Sequence, residues 1–197
     1  MLTSYEKIAS KIGQLDEAVR KEIEETVGYL KNCVKSLNSN VYYETRIDEF
    51  VVDIQKEVLK ESTASSFKSS WYRTVSSTST ISSYREFGGN AFLNGNYLTT
   101  IDNATRSEIS VLPEWNTMRF QAEIEIPQGT SLNIGKVEAY PHPPAIATYL
   151  GGADQILLPN NWDYSKWVKK IIDKETGIVY TFEEFKIAYP EIISKPK

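Results

Sequence analysis

Gly151-Gly152-Ala153-Asp154-Gln155-Ile156-Leu157-Leu158-Pro159 places a glycine pair before an acidic-amide dipeptide and an apolar run closed by proline. Two glycines allow a positive φ or a close backbone approach, and Ile156 to Leu158 stopped by Pro159 has the form of a buried central strand. A polar Gln155 at the entry of such a strand is a candidate ligand contact. An ordinary turn before a core strand is the bland alternative.

Upstream of that stretch, Arg119 to Ile126 alternates Phe120, Ala122, Ile124 and Ile126 against Gln121, Glu123 and Glu125. This period of two predicts a strand with one buried face, on which Glu123 and Glu125 form a solvated side rather than a catalytic carboxylate pair. Pro127-Gln128-Gly129-Thr130 turns the chain, and Leu132 to Val137 and Gln155 to Leu158 are further strand candidates. Ser62 to Ser83 is rich in Ser and Thr, but Phe67, Trp71, Tyr72 and Tyr84 are too large for a tether, so a half-exposed strand is expected at about Ser70 to Ser76. Tyr164 to Ile172 and Phe182 to Tyr189 read as short helices, with Trp162 and Trp167 as packing residues.

The first part of the chain differs. From Tyr5 to Leu37, Ile8, Ile12, Leu15, Val19, Ile23, Val27, Leu30, Val34 and Leu37 recur at helical steps, and Ile47, Phe50, Val51, Ile54 and Val58 suggest a second helix from Tyr42 to Leu59. The expectation is a helical hairpin over residues 1–61, usable as a homo-oligomer seam, followed by a domain over residues 62–197.

Composition narrows the function classes. A formal net charge of -4 over 197 residues lacks the basic face that a phosphate-backbone binder needs, so nucleic acid is not an expected partner. No run reaches the roughly 18 apolar residues of a membrane span, and Met1 opens a polar helix rather than a signal sequence. A cytoplasmic location, or export by a non-classical route, is expected. Cys33 is the single cysteine, which excludes an internal disulfide and a cysteine-rich zinc site. His142 is the single histidine, within Tyr140-Pro141-His142-Pro143-Pro144; a Ser-His-Asp hydrolase would depend wholly on this one residue.

Several separated pieces carry a resemblance. Trp71-Tyr72-Arg73, Gly95-Asn96-Tyr97-Leu98-Thr99-Thr100, Ala122-Glu123-Ile124-Glu125-Ile126-Pro127-Gln128-Gly129-Thr130 and the Gly151–Pro159 stretch occur in an order that resembles the ADP-ribosyltransferase-fold toxin domains. The resemblance covers about Trp71 to Pro159 and implies an α+β fold in which the hairpin precedes an ADP-ribosyltransferase-like split antiparallel β-sheet. Transferases of that group carry Glu where this chain has Gln155, and an acceptor-activating residue where it has Ala153. The glycine-rich turn followed by Gln is instead similar to NAD glycohydrolases of the tuberculosis necrotizing toxin type. Tyr84-Arg85-Glu86-Phe87-Gly88 and the Arg106 to Pro113 piece also resemble segments of those enzymes.

The resemblance implies NAD as a substrate, with no further cofactor and no metal, and an immunity protein as a partner. It implies catalytic roles for Gln155 and Arg73, with Arg85 competing for the diphosphate role; Tyr97, Thr99 and Thr100 would line the nicotinamide pocket, and Asp154 would lie near the cationic centre. Residue chemistry suits these roles, because a guanidinium fork can donate parallel bonds to phosphate oxygens and a Gln carbonyl can accept from a ribose hydroxyl. Three functions follow: NAD glycohydrolase, mono-ADP-ribosyltransferase acting on a protein, and a non-enzymatic protein that oligomerises through the hairpin. Arg73 and Arg85 as surface arginines, and Tyr97 and Thr99 as ordinary strand residues, are the plain alternatives.

Overall fold

Phe120, Ala122, Ile124 and Ile126 are all buried along β5 (Phe120–Ile126), an interior strand in the computed structural model, which describes residues 44–141 and 148–194. One antiparallel sheet runs in the order β3 (Ile81–Phe87), β5, β8 (Val168–Asp173), β9 (Val179–Tyr180). The other runs β1 (Val51–Asp53), β2 (Phe67–Ser77), β6 (Ser131–Val137), β7 (Asp154–Leu157), β4 (Tyr97–Leu98). A reciprocal pair of 2.8 Å backbone hydrogen bonds between Tyr84 and Thr99 joins the edge strand of one sheet to the end of β4 in the other.

Side-chain chemistry explains the pairing. Glu123 and Glu125 form cross-strand ion pairs with Lys170 (2.7 Å) and Lys169 (3.0 Å) on the exposed face of β5 and β8. Gln121, on the same alternation, is instead buried because its amide donates to the Glu86 carboxylate at 2.8 Å, which also holds Lys174. The core runs continuously through both sheets, with Val75, Ile81, Ile124, Ile134, Ile156 and Ile171 among its members. Each such aliphatic side chain contributes about 1.5–3 kcal/mol on burial.

Among the described residues only three short α-helices accompany the strands: α1 (Glu61–Ala64), α2 (Tyr164–Trp167) and α3 (Phe182–Ala188). Thr181 and Glu184 cap α3 reciprocally, and its Phe185 packs edge-on against Phe87 and Phe120. Among the described residues no helix is long and apolar enough to cross a membrane.

The α+β class expected from the sequence, a helical hairpin ahead of an ADP-ribosyltransferase-like split sheet, is overturned by this mostly antiparallel β architecture. The hairpin's first arm, Tyr5–Leu37, lies outside the described residues, as do Cys33 and His142. Its second arm does not form as a helix. A single 3-10 turn at Asp48–Phe50 leads into β1, and irregular chain follows to Lys60. Tertiary partners take the backbone groups that a helix would have used: Glu57 N–H donates to Thr74 Oγ1, Leu59 N–H donates to Tyr72 Oη, and Tyr72 Oη donates to Glu57 C=O. Of the supposed helical stripe, Ile47 and Val51 enter the core while Val58 is 93% exposed. The helix expected over Tyr164–Ile172 likewise stops after one turn, and β-branched Val168, Ile171 and Ile172 continue as β8.

Asp173, at the end of β8, ties the four-stranded sheet to Tyr189, the residue after α3, whose hydroxyl donates to it at 3.4 Å. Its buried carboxylate accepts from Arg119 Nη2 at 2.8 Å and from Glu175 N–H at 3.0 Å. The Arg119 hydrogen bond is the main reason its pKa falls to about 2. A depressed carboxylate stabilises the fold above its unfolded pKa, near 3.9, and that contribution is lost as pH falls through the folded value. Asp173→Asn should therefore lower stability at neutral pH by about 1–3 kcal/mol and flatten the acid limb of the denaturation profile between about pH 4 and pH 2, as read by circular dichroism.

Candidate functional site

Strand alternation decides which face of β7 each residue serves. Asp154 and Gln155 are neighbours and point to opposite sides. Asp154 is buried against Lys136, with which it forms an ion pair, and accepts from Thr100 Oγ1 at 2.6 Å and Arg46 N–H at 2.9 Å. Gln155 faces the other way, into a cavity of about 440 Å³ lined by residues of both sheets.

The glycine pair sets this register. Gly151 and Gly152 have φ of +66° and +89°, and Gly152 N–H donates to Val137 C=O at 2.9 Å. A Cβ on Gly151 would stand 2.6 Å from Val137 O and 2.7 Å from Glu138 O, whereas one on Gly152 would meet nothing. Ser107 and Glu108 of the long connection between β4 and β5 accept from Gly151 and Ala153 N–H, so the turn also anchors that loop.

Arg85, on β3, lines the cavity and is only 8% exposed. Its Nε and Nη2 donate to Phe92 C=O at 3.0 and 2.7 Å, and its Nη1 donates to Tyr97 C=O at 2.8 Å. A guanidinium carries five N–H groups, so one on each Nη has no acceptor among the described residues. No described carboxylate forms an ion pair with it. Burial pushes its pKa down to about 10, which still leaves it a cation at neutral pH. The close approach of Gly95 makes this placement possible, since a Cβ there would lie 1.9 Å from Nη2.

The remaining walls are polar on one side and aromatic on the other. Gln155 is 5% exposed; its Nε2 donates to Ser66 Oγ at 2.9 Å, and its Oε1 accepts nothing from the described residues. Thr99 is buried at the cavity wall and Tyr97 stands at its rim, 42% exposed. Glu138 also lines the space, its two oxygens held by Ser69 and Ala139 N–H at 2.7 Å each. Trp115, Tyr140, Ile109 and Val111 complete an apolar side.

Of the residues singled out from the sequence, the fold thus brings Arg85, Tyr97, Thr99 and Gln155 together around one cavity. Thr100 and Asp154 bond to each other and are not among its lining residues. Arg73 is also elsewhere, with Nη1 3.1 Å from Asp48 and Nε 2.8 Å from Asp53. Sequence reasoning missed Ser66, Glu138, Tyr140, Trp115 and Asn116, and noted Ile109 to Val111 only within the Arg106 to Pro113 resemblance, without a site role. The signal for the Ile109–Asn116 segment was the loop itself: no strand or α-helix occurs between β4 and β5, a length that compact domains usually reserve for function. Ser110 adds two strains there, a φ of +53° and a buried Oγ without a partner. Among the described residues no group of three or more His, Cys, Asp or Glu is placed to hold a metal ion.

Two glycine substitutions test this construction. Gly151→Ala should destabilise by about 2–4 kcal/mol, combining the positive φ with contacts to fixed carbonyls, and Gly152→Ala by only about 1–2 kcal/mol; urea denaturation separates them. Gly95→Ala should destabilise by about 1–3 kcal/mol, because it displaces the Arg85 guanidinium from the Phe92 and Tyr97 carbonyls, a shift visible in the arginine Nε–Hε NMR signal. No family model matches the chain, and neither a curated protein nor a solved structure matches it. The chemistry of the cavity must be read from its own residues.

Proposed function

We propose that the cavity binds NAD and that the chain is an NAD glycohydrolase releasing nicotinamide and ADP-ribose. One observation carries the reading: a buried cation without a carboxylate partner and a glutamine with an open carbonyl line the same cavity as Tyr97 and Thr99. A buried charge left unpaired is costly, and an anionic ligand supplies the missing partner. The two free N–H groups of Arg85 are suited to phosphate oxygens of a diphosphate.

Hydrolysis at the nicotinamide ribose asks little of a protein acid. Water attacks C1′ as the C1′–N1 bond breaks, the bonding pair returns to the pyridinium nitrogen, and the proton of the water passes to solvent. The leaving group departs neutral, so no residue must protonate it. Positioning and charge stabilisation carry the barrier reduction. Gln155 Oε1 accepts from a ribose hydroxyl, and its amide is itself oriented by Ser66. Tyr97 and Thr99 flank the pyridine ring, and Arg85 holds the diphosphate.

The test is nicotinamide release by the purified chain. Arg85→Ala and Gln155→Ala should each lower kcat/KM by about a hundredfold or more. Arg73→Ala, which removes the ion pairs with Asp48 and Asp53 and does not touch the cavity lining, should change it by less than about threefold. Absence of release at high enzyme concentration contradicts the reading. Labelling of a protein by NAD with little free ADP-ribose would favour a mono-ADP-ribosyltransferase instead.

A further inference from the structure

We infer that Trp115 is the stacking surface for the adenine end of the dinucleotide, an assignment that rests on the NAD reading of the cavity. Trp115 lines the cavity yet is 47% exposed, and its ring lies 5.0 Å from that of Tyr140 at 72°. Its edge-on partner therefore supports the indole while about half of its surface stays open. An exposed indole on a wandering loop would be unremarkable, but this one is held. Trp115 N–H donates to Leu112 C=O at 3.0 Å, Arg106 Nη1 donates to Asn116 C=O at 2.7 Å, and Asn116 Nδ2 donates to Glu86 C=O at 2.9 Å. A rigid, open aromatic face is what base stacking requires.

The hydrogen-bond connections also fix which end of the ligand it meets. Arg85 bonds through Nη1 to the carbonyl of Tyr97, and the next residue on β3, Glu86, bonds through its carbonyl to the side chain of Asn116, beside Trp115. Adjacent residues of β3 thus hold the two aromatic rims, Arg85 the Tyr97 side and Glu86 the Trp115 side. Tyr97 belongs to β4, which pairs with β7 in the register Tyr97 to Leu157 and Leu98 to Ile156, so Gln155 and the scissile ribose go with the Tyr97 side. A diphosphate on Arg85 then directs the other nucleoside toward Trp115, whose bicyclic ring offers the larger π face for a purine.

Comparing two substrates isolates this contact. Trp115→Ala should raise KM for NAD about tenfold, with kcat nearly unchanged, and should leave kcat/KM for nicotinamide mononucleotide, which lacks adenine, as in wild type. Trp115→Phe should restore most of the NAD affinity. AMP should quench the intrinsic fluorescence of the full chain, and the quenching should disappear in Trp115→Phe. Equal losses on both substrates, or fluorescence unaltered by AMP and by ADP-ribose, overturn the assignment. If NAD is not cleaved at all, the glycohydrolase reading fails separately and the fluorescence titration still decides: quenching confined to Trp115 retains the adenine site, and its absence removes it.

Discussion

A charged guanidinium held in an apolar interior by two backbone carbonyls is the constraint from which the candidate site follows. Arg85 can sit there only because Phe92 and Tyr97 present their carbonyls and because Gly95 lacks a side chain at the point of closest approach. Neutral dipoles ease the burial of a cation without neutralising it. Arg85 lines the cavity with that charge uncompensated by an ion pair, and the proposed anionic ligand rests on it. Other arginines of the chain are handled differently: Arg73 and Arg119 each reach two carboxylates, and Arg106 closes a loop on its own carbonyls near the surface.

The two sheets contribute separate halves of the chemistry. The edge strand β3 supplies the cation, the interior strand β7 supplies the amide, and the Tyr84–Thr99 backbone bridge joins β3 to the end of β4, which pairs with β7. The Gly151-Gly152 turn matters through geometry: a one-residue slip would exchange Gln155 for Asp154 on the cavity side. That slip would put a carboxylate on the cavity wall, which would oppose the proposed anionic ligand. The close packing of Gly151 under Val137 and Glu138 and the bonds from Ser107 and Glu108 hold the register against it.

Some of this was legible in the sequence and some was not, for identifiable reasons. The β5 alternation could be read directly because its apolar residues turn inward and Glu123 and Glu125 turn outward to lysines, with buried Gln121 as the exception. The Tyr42–Leu59 segment misled because i, i+4 spacing of Ile47 and Val51 suits a helix, whereas Thr74 and Tyr72, distant in sequence, claim its backbone groups. That same segment explains why the sequence favoured Arg73 over Arg85 although Arg85 is the one that lines the cavity. Once residues 48–53 form a turn and strand, Asp48 and Asp53 meet Arg73, and of the two it is Arg85 that forms no ion pair with a described carboxylate. Long-range partners of this kind leave no local pattern. Trp115 was hidden for a related reason, since its openness depends on loop bonds rather than on composition.

The central claim is that Arg85 awaits a diphosphate. A crystal structure of the full chain with ADP-ribose tests it most directly, because the ligand carries the diphosphate and lacks the scissile bond. The account predicts phosphate oxygens within hydrogen-bond distance of Arg85 Nη1 and Nη2, with the terminal ribose beside Gln155. Density for the ligand elsewhere, or a cavity left empty at saturating ADP-ribose with Arg85 still bonded only to Phe92 and Tyr97, would contradict it.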